Sequence, residues 1–130
     1  MTALLDTSVL IARESGRPAN LAAVPEESYV SVVTKAELQA GVLAATNVEI
    51  RALRLSTLDT LASVELLPID DGAALSWALL RIKLRDAGRS MKVNDLWIAA
   101  VAHSRNLAVV TQDDDYNVLA NLELLKVIHI

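Results

Sequence analysis

The chain has 130 residues, of which 53% are hydrophobic and 22% charged, with only 4 glycines and 3 prolines. This composition predicts one packed domain over residues 1–130 and excludes a disordered or low-complexity protein. Cysteine is absent, so disulfides, thiolate zinc sites and a cysteine nucleophile are excluded, and any metal must bind oxygen or histidine. The N-terminus has no signal-peptide pattern, and no apolar run reaches the ~18 residues of a membrane span. We therefore expect a cytoplasmic protein without a membrane segment.

The charge of the chain is unevenly distributed. The net charge is −4, but residues 81–92 contain five basic residues and one acidic residue, a local charge of +4. Such a segment is by default the solvated end of a helix, yet clustered basic residues are also typical of phosphate binding. From charge alone, the candidates for gripping an RNA backbone are Arg81, Arg85, Arg89 and Lys92.

Strand and helix patterns alternate along the chain. The predicted strands are residues 3–5, 29–33, 64–69, 107–111 and 124–130. The predicted helices are a first one closed by Gly16, then residues 34–44, 47–62, 70–87, 94–104 and a short turn at 113–119. This alternation predicts an α/β fold, with a central parallel sheet of about five strands flanked by helices. In such sheets, ligands bind beyond the carboxyl ends of the strands, where the strand order reverses.

Each acidic residue near a strand end has a structural interpretation. Asp6 follows the first strand and is a potential N-cap, and Asp70 with Asp71 opens a long helix. Glu37 has the spacing of a capping box with Thr34, which favours a purely structural role when this residue is considered alone. Asp95 differs, because it lies in the first turn of an otherwise apolar helix. Burying an ion costs several kcal/mol unless it is paired or binds a cation.

Taken together, these acids favour a metal site. Acids stand at several strand-to-helix junctions or helix starts, including the run Asp113-Asp114-Asp115 after the fourth predicted strand. Clustered carboxylates suit one or two Mg²⁺ or Mn²⁺ ions, which prefer hard oxygen ligands. Such ions activate water and stabilise a leaving oxygen, so the pattern predicts a hydrolase that cleaves phosphodiester bonds.

The remaining chemistry-bearing residues favour structural roles. The sequence has no glycine-rich phosphate loop, no nucleophile elbow and no zinc spacing, and His103 and His129 stand alone. Trp77 and Trp97 lie in apolar helical runs and are predicted to belong to the core. Tyr116 is the one aromatic residue that the pattern leaves as exposed, so a base-stacking module is not expected.

Four motifs, in order along the chain, resemble those of the PIN-domain ribonucleases, and more narrowly the VapC-type toxins of bacterial toxin–antitoxin pairs. They are Leu5-Asp6-Thr7-Ser8, Thr34-Lys35-Ala36-Glu37-Leu38, Asn94-Asp95-Leu96-Trp97-Ile98-Ala99-Ala100 and Thr111-Gln112-Asp113-Asp114-Asp115-Tyr116. The resemblance spans nearly the whole chain. One departure is Val93, two residues before the third acid, where the family often has glycine.

The resemblance implies a role for specific residues and partners. Asp6, Glu37, Asp95 and Asp113 would be the catalytic residues that bind Mg²⁺ or Mn²⁺, and Asp115 would help to hold a second ion. Ser8 and Thr111 would hydrogen-bond ligands or waters. The substrate would be RNA, cleaved by a metal-activated water, and the partners would be a VapB-type antitoxin and a second copy of the chain.

Two other classes remain as alternatives. The first is a non-catalytic, metal-stabilised α/β binding module, either an inactive PIN relative or a receiver-like domain. A receiver would need a paired acid after the first strand, which Asp6 lacks, and an inactive relative would lack an acid, whereas none is missing. The second is a phosphatase similar to the haloacid dehalogenases, which needs an aspartate where Ser8 stands.

Overall fold

A central parallel sheet organises the structure, a computed structural model that describes residues 2–130. The strands are β1 (Thr2–Leu5), β2 (Glu27–Ser31), β3 (Leu66–Leu67), β4 (Ala108–Thr111) and β5 (Val127–His129). The helices are α1 (Thr7–Ser15), α2 (Val32–Ala44), α3 (Val48–Asp59), α4 (Asp71–Asp86), α5 (Val93–Ser104) and α6 (Asn117–Asn121). Short 3-10 turns lie at Leu21–Ala23 and Thr60–Ser63. The predicted α/β fold with a five-stranded sheet is confirmed.

The strand order places a crevice beside β1. The order is β3-β2-β1-β4-β5, and every neighbouring pair is parallel. The chain first builds outward from β1 and then returns to add β4 and β5 on the other side, so the order reverses between β1 and β4. Parallel α/β sheets bind ligands at this point. A receiver-like domain has the order 2-1-3-4-5, which this sheet does not have.

The core lies on both faces of the two central strands. β4 is buried along its whole length, and α5 is buried over most of its surface because it carries alanine, valine and isoleucine on nearly every face. Trp77 and Trp97 pack against this core with their rings stacked 5.0 Å apart, as the apolar pattern predicts. Among residues 2–130, no helix is both long and apolar enough to span a membrane.

The start of α2 corrects one prediction. The predicted strand at 29–33 ends at Ser31, and Val32 and Val33 belong to α2 although β-branched residues favour strands. The Ser31 hydroxyl accepts a hydrogen bond from the Val33 amide at 2.9 Å, which makes Ser31 the N-cap. The predicted capping box of Thr34 and Glu37 is therefore wrong. Glu37 lies beyond the first turn of the helix, and its carboxylate is free to face another element.

Other element ends follow local caps. Asp70 caps α4 as predicted, since its Oδ1 accepts from the Ala73 amide at 2.9 Å. The predicted strand at 64–69 shortens to two residues at the edge of the sheet, and the turn predicted at 113–119 becomes helical only from Asn117. Gly16 follows α1 with φ +65°, a left-handed conformation that favours glycine.

Both histidines have structural partners. His103 Nδ1 lies 2.8 Å from the Ser76 hydroxyl, joining α5 to α4. His129 Nε2 lies 2.7 Å from the Asn117 side-chain oxygen, joining the end of the sheet to α6. These contacts agree with the structural roles expected of lone histidines.

Candidate active site

The acidic residues singled out in the sequence meet in one cavity of about 280 Å³ at the carboxyl ends of β1 and β4. Among its lining residues are Asp6, Glu37, Asp95, Asp113 and Asp115. We call this space the acidic cavity. Asp114, the middle residue of the acidic run, is exposed and does not line it. Residues far apart in sequence are brought together because β1 and β4 are neighbours and the first turns of α2 and α5 face them.

Asp6 is the most tightly held of these acids, with only 2% of its surface exposed. Its Oδ1 accepts from the Thr7 amide at 2.7 Å and from the Tyr116 hydroxyl at 2.9 Å. Its Oδ2 accepts from the Ser8 and Thr111 hydroxyls, both at 2.8 Å. Asp6 is also the N-cap of α1, so the structural and site interpretations hold together. Four donors keep this buried carboxylate satisfied and fixed.

Ser8 and Thr111 connect this network to the loop after β4. The Ser8 hydroxyl accepts from the Gln112 amide at 3.0 Å, and the Thr111 hydroxyl accepts from the Asp113 amide at 2.9 Å. The loop that carries Asp113 is therefore fixed to the same two hydroxyls that hold Asp6. This geometry matches the supporting role expected of Ser8 and Thr111, which remains a prediction.

Asp95 has an oxygen without a partner. Its Oδ2 is buried and accepts no hydrogen bond, while its Oδ1 lies 3.5 Å from the Tyr116 hydroxyl. Burial, with the negative charges of Asp6 and Asp115, raises the pKa of Asp95 to about 7. An unpartnered buried oxygen is costly, and a bound cation is one way to satisfy it.

Glu37 is held by the other side of the cavity. Its Oε1 accepts from the Thr7 hydroxyl at 2.7 Å, and that hydroxyl also lies 2.9 Å from the Thr34 hydroxyl. Its Oε2 lies 3.5 Å from the Asn94 amide nitrogen. The residues of the predicted capping box thus hold Glu37 toward α1 rather than cap α2.

Asp113 and Asp115 face basic side chains at the rim of the cavity. Asp113 lies 4.0 Å from Arg17 Nη1, and Asp115 lies 3.6 Å from Lys92 Nζ. Burial, then the charges of Asp6 and Asp115, raise the pKa of Asp113, while Arg17 lowers it. All four of these side chains are substantially exposed, so each ion pair contributes little stability. The cations remain able to bind another anion.

The basic residues singled out in the sequence divide between two cavities. Lys92 lines the acidic cavity, whereas Arg81, Arg85 and Arg89 line a separate cavity of about 310 Å³ at the end of α4. We call the second space the basic cavity. The two adjoin at the first turn of α5, because Leu96 lines the basic cavity and the preceding residue lines the acidic one.

Sequence reasoning missed three residues of the site. Tyr116 is fully buried, so the expectation that it would be exposed is wrong. Its aromatic position in the fourth motif could have signalled burial, since a helix start packed on the sheet favours an apolar ring. Thr7 and Arg17 also line the cavity, but a lone threonine or arginine carries no such signal.

The acidic cavity has the chemistry of a divalent-cation site. No three acidic or histidine side chains of the described chain stand ready to hold one ion as they are placed. The reason is that both Asp6 oxygens and Glu37 Oε1 are turned toward protein donors. The donor set is nonetheless all oxygen, and the unpartnered Asp95 oxygen and like-charged neighbours fit a hard cation. Binding would require the remaining carboxylates to rotate.

Comparison with known proteins identifies the family. The family model of the PIN domain matches residues 3–122, and the chain therefore belongs to the PIN-domain family. It is 54% identical to Ribonuclease VapC5 of Mycobacterium tuberculosis over 127 residues, covering 95% of this chain and 94% of that protein. It is 43% identical to Ribonuclease VapC4 of the same organism, covering 96% of each. Within the family, it is a VapC-type PIN ribonuclease.

Solved structures agree with this assignment. The crystal structure of the toxin–antitoxin system VapBC-5 from M. tuberculosis contains a chain that superposes with a TM-score of 0.92 at 49% identity. That match covers 99% of this chain and 98% of the other. A chain of FitAcB from Neisseria gonorrhoeae superposes with a TM-score of 0.81 at 28% identity, covering 98% and 96%.

Proposed function

We propose that this protein is the toxin of a toxin–antitoxin pair, an endoribonuclease that hydrolyses RNA phosphodiester bonds with Mg²⁺ or Mn²⁺. The observation that carries the proposal is the acidic cavity, where five carboxylates meet at the reversal of strand order and one buried oxygen has no partner. The named ribonuclease relatives support the same activity. We further propose that the whole chain acts as a single domain, in the cytoplasm where RNA is plentiful.

The proposal assigns the carboxylates to the metal. PIN ribonucleases use divalent cations in general, and here Asp6, Glu37, Asp95 and Asp113 would hold one or two ions, with Asp115 at a second. A bound cation supplies a water of lowered pKa and stabilises negative charge on the reacting phosphate. The chain's own part is to keep the ligands in place: Ser8 and Thr111 orient Asp6, and Thr7 orients Glu37.

Arg17 and Lys92 are the groups placed to grip the phosphate. They stand at the rim of the acidic cavity, each at the long end of ion-pair distance from a peripheral carboxylate. An incoming phosphate carries negative charge into a space lined by acids, and two cations at its edge would lower that repulsion.

Neutralising either rim cation should slow cleavage and spare metal binding. We expect Arg17→Gln and Lys92→Gln each to lower kcat/KM by about 10- to 100-fold, because each removes a charged donor to the reacting phosphate. Mn²⁺ affinity should hold or rise slightly. Arg13→Gln, an exposed arginine on the same helix as Ser8, is the matched control. Rim variants that cleave like this control would exclude the phosphate-gripping role.

The basic cavity is proposed to bind the RNA backbone beyond the cut site. Arg81 packs its guanidinium 5.4 Å from the centre of the Trp77 ring, so its replacement would also disturb packing. The variant Arg85→Gln/Arg89→Gln avoids this problem. In a cleavage-deficient background it should weaken RNA binding and flatten the logarithmic salt dependence by about one per lost phosphate contact. An unchanged salt slope would argue against this surface.

The exposed apolar side chains support two protein partners, a VapB-type antitoxin and a second copy of the chain. Leu75 is 74% exposed on α4, and Leu43 and Val48 are both 83% exposed near the turn between α2 and α3. Contiguous exposed apolar surface marks interaction sites. The related structures are of toxin–antitoxin systems. Light scattering on the isolated protein should give twice the mass of one chain, and a monomer would contradict the proposed homodimer.

The activity itself is tested by incubating the purified protein with total cellular RNA. Parallel reactions contain Mg²⁺, Mn²⁺ or EDTA, and an Asp95→Asn preparation controls for a contaminating nuclease. New 5′ ends are mapped by sequencing. Discrete cuts that need both the metal and Asp95 support the ribonuclease and reveal its substrate. Cuts that persist in Asp95→Asn, or no cuts at all, would favour the non-catalytic binding module instead.

A further inference from the structure

The phenol of Tyr116 lies beneath the acidic cavity, between two of its carboxylates. Its hydroxyl donates to Asp6 Oδ1 at 2.9 Å and lies 3.5 Å from Asp95 Oδ1. The side chain is fully buried, and its ring belongs to the hydrophobic core together with Val118 and Leu119. Packing and the start of α6 therefore fix the ring, whatever the hydroxyl does.

The hydroxyl has a different task from the ring. A phenylalanine would fill the same space in the core without bringing a polar group that must be satisfied. Burial and the nearby charges of Asp6 and Asp95 raise the pKa of Tyr116, so the phenol stays neutral and can donate its proton. It is the only side-chain group reported to contact both carboxylates by hydrogen-bond distance within the described residues. The hydroxyl thus joins an acid that follows β1 to an acid on α5.

We propose that Tyr116 is a positioning residue, whose hydroxyl orients Asp6 relative to Asp95 so that the pair presents a preformed half-site to a divalent cation. This inference rests on the proposed function and deepens it. The Asp6 oxygen that it contacts receives its other hydrogen bond from the adjacent Thr7 amide, a donor on the same short segment. Tyr116 is therefore what ties this oxygen to the far side of the site. Groups that hydrogen-bond metal ligands typically contribute 10- to 100-fold to metal affinity.

The test is Tyr116→Phe, which removes one oxygen and keeps the ring. Mn²⁺ affinity is measured directly, from the electron paramagnetic resonance signal of free Mn²⁺ during a protein titration. We expect a Kd about 10-fold weaker than that of the wild-type protein. The Mn²⁺ concentration for half-maximal cleavage should rise in parallel, while the KM for RNA stays unchanged. Tyr29→Phe is the matched control, because Tyr29 is a partly buried tyrosine on β2 that does not line the acidic cavity.

The outcomes separate this inference from the proposed function. Circular dichroism first establishes that both variants are folded. A Tyr116→Phe protein that binds Mn²⁺ as tightly as the wild type, or more tightly, would overturn the positioning role while wild-type cleavage still supports the ribonuclease. A wild-type protein that neither binds Mn²⁺ nor cleaves RNA would overturn both.

Discussion

Replacing Asp95 with asparagine should remove RNA cleavage and, at the same time, stabilise the metal-free protein. Cleavage should fall by about 100- to 1000-fold, because a charged ligand at the centre of the acidic cavity is lost. Stability should rise because asparagine has no charge to bury beside Asp6 and Asp115, whose charges raise the pKa of Asp95 after burial itself. A residue needed only for folding would show the opposite effect on stability.

The stabilisation should depend on pH in a defined direction. The pKa of Asp95 is raised to about 7 in the folded protein, so the folded state binds this proton more tightly than the unfolded state. The wild type therefore loses stability as pH rises from about 4, the ordinary carboxyl value, to about 7. Asp95→Asn lacks that loss, and its advantage should reach roughly 2 kcal/mol above pH 7, after allowance for solvent screening.

Urea unfolding in EDTA at pH 5 and pH 8 measures this difference. The free energy of unfolding of Asp95→Asn should exceed that of the wild type by more at pH 8 than at pH 5. Asp114→Asn is the control, since Asp114 is exposed and does not line the acidic cavity. An Asp95→Asn protein that is less stable than the wild type at pH 8 would show that Asp95 has a partner within the fold.

The same substitution at Asp6 should also remove cleavage but change stability in the opposite direction. Asp6 is buried and accepts four hydrogen bonds, two on each oxygen. Asparagine replaces one accepting oxygen with a donating NH₂ group, so half of these bonds lose their acceptor. The Ser8 and Thr111 hydroxyls can turn to accept from the amide, which recovers part of the loss. We expect a net destabilisation of about 1–3 kcal/mol.

The Asp6→Asn variant is measured by urea unfolding in EDTA, beside Asp95→Asn and the Asp114→Asn control. The pair of variants tests whether the two acids differ as the structure shows, one satisfied by the protein and the other not. A gain in stability for Asp6→Asn would mean that repulsion from the neighbouring acids outweighs its four hydrogen bonds.

The general architecture and the acidic residues were predictable from local signals. Alternating strand and helix patterns predicted the sheet, and an acid stood after β1 and after β4, the two strands beside which the order reverses. Asp95 was predictable on energetic grounds, because an apolar helix gives a carboxylate no obvious partner. Its unpartnered Oδ2 confirms that reasoning.

The errors arose where tertiary packing outweighed local pattern. Val32 and Val33 favour a strand, but the Ser31 cap starts α2 before them. Glu37 had the spacing of a cap, and only the approach of α1 shows that it faces Thr7. Tyr116 had no buried neighbours in sequence that would reveal its place, since its partners lie 21 and 110 residues away.

The most direct test of the central claim is to locate the cation. Crystals of the protein soaked in Mn²⁺ should show anomalous difference density inside the acidic cavity, in contact with carboxylates among Asp6, Glu37, Asp95 and Asp113. The same soak of Asp95→Asn crystals should show this density weakened or lost. Mn²⁺ density that lies outside the cavity, in a protein that cleaves RNA with Mn²⁺, would contradict the proposed catalytic site.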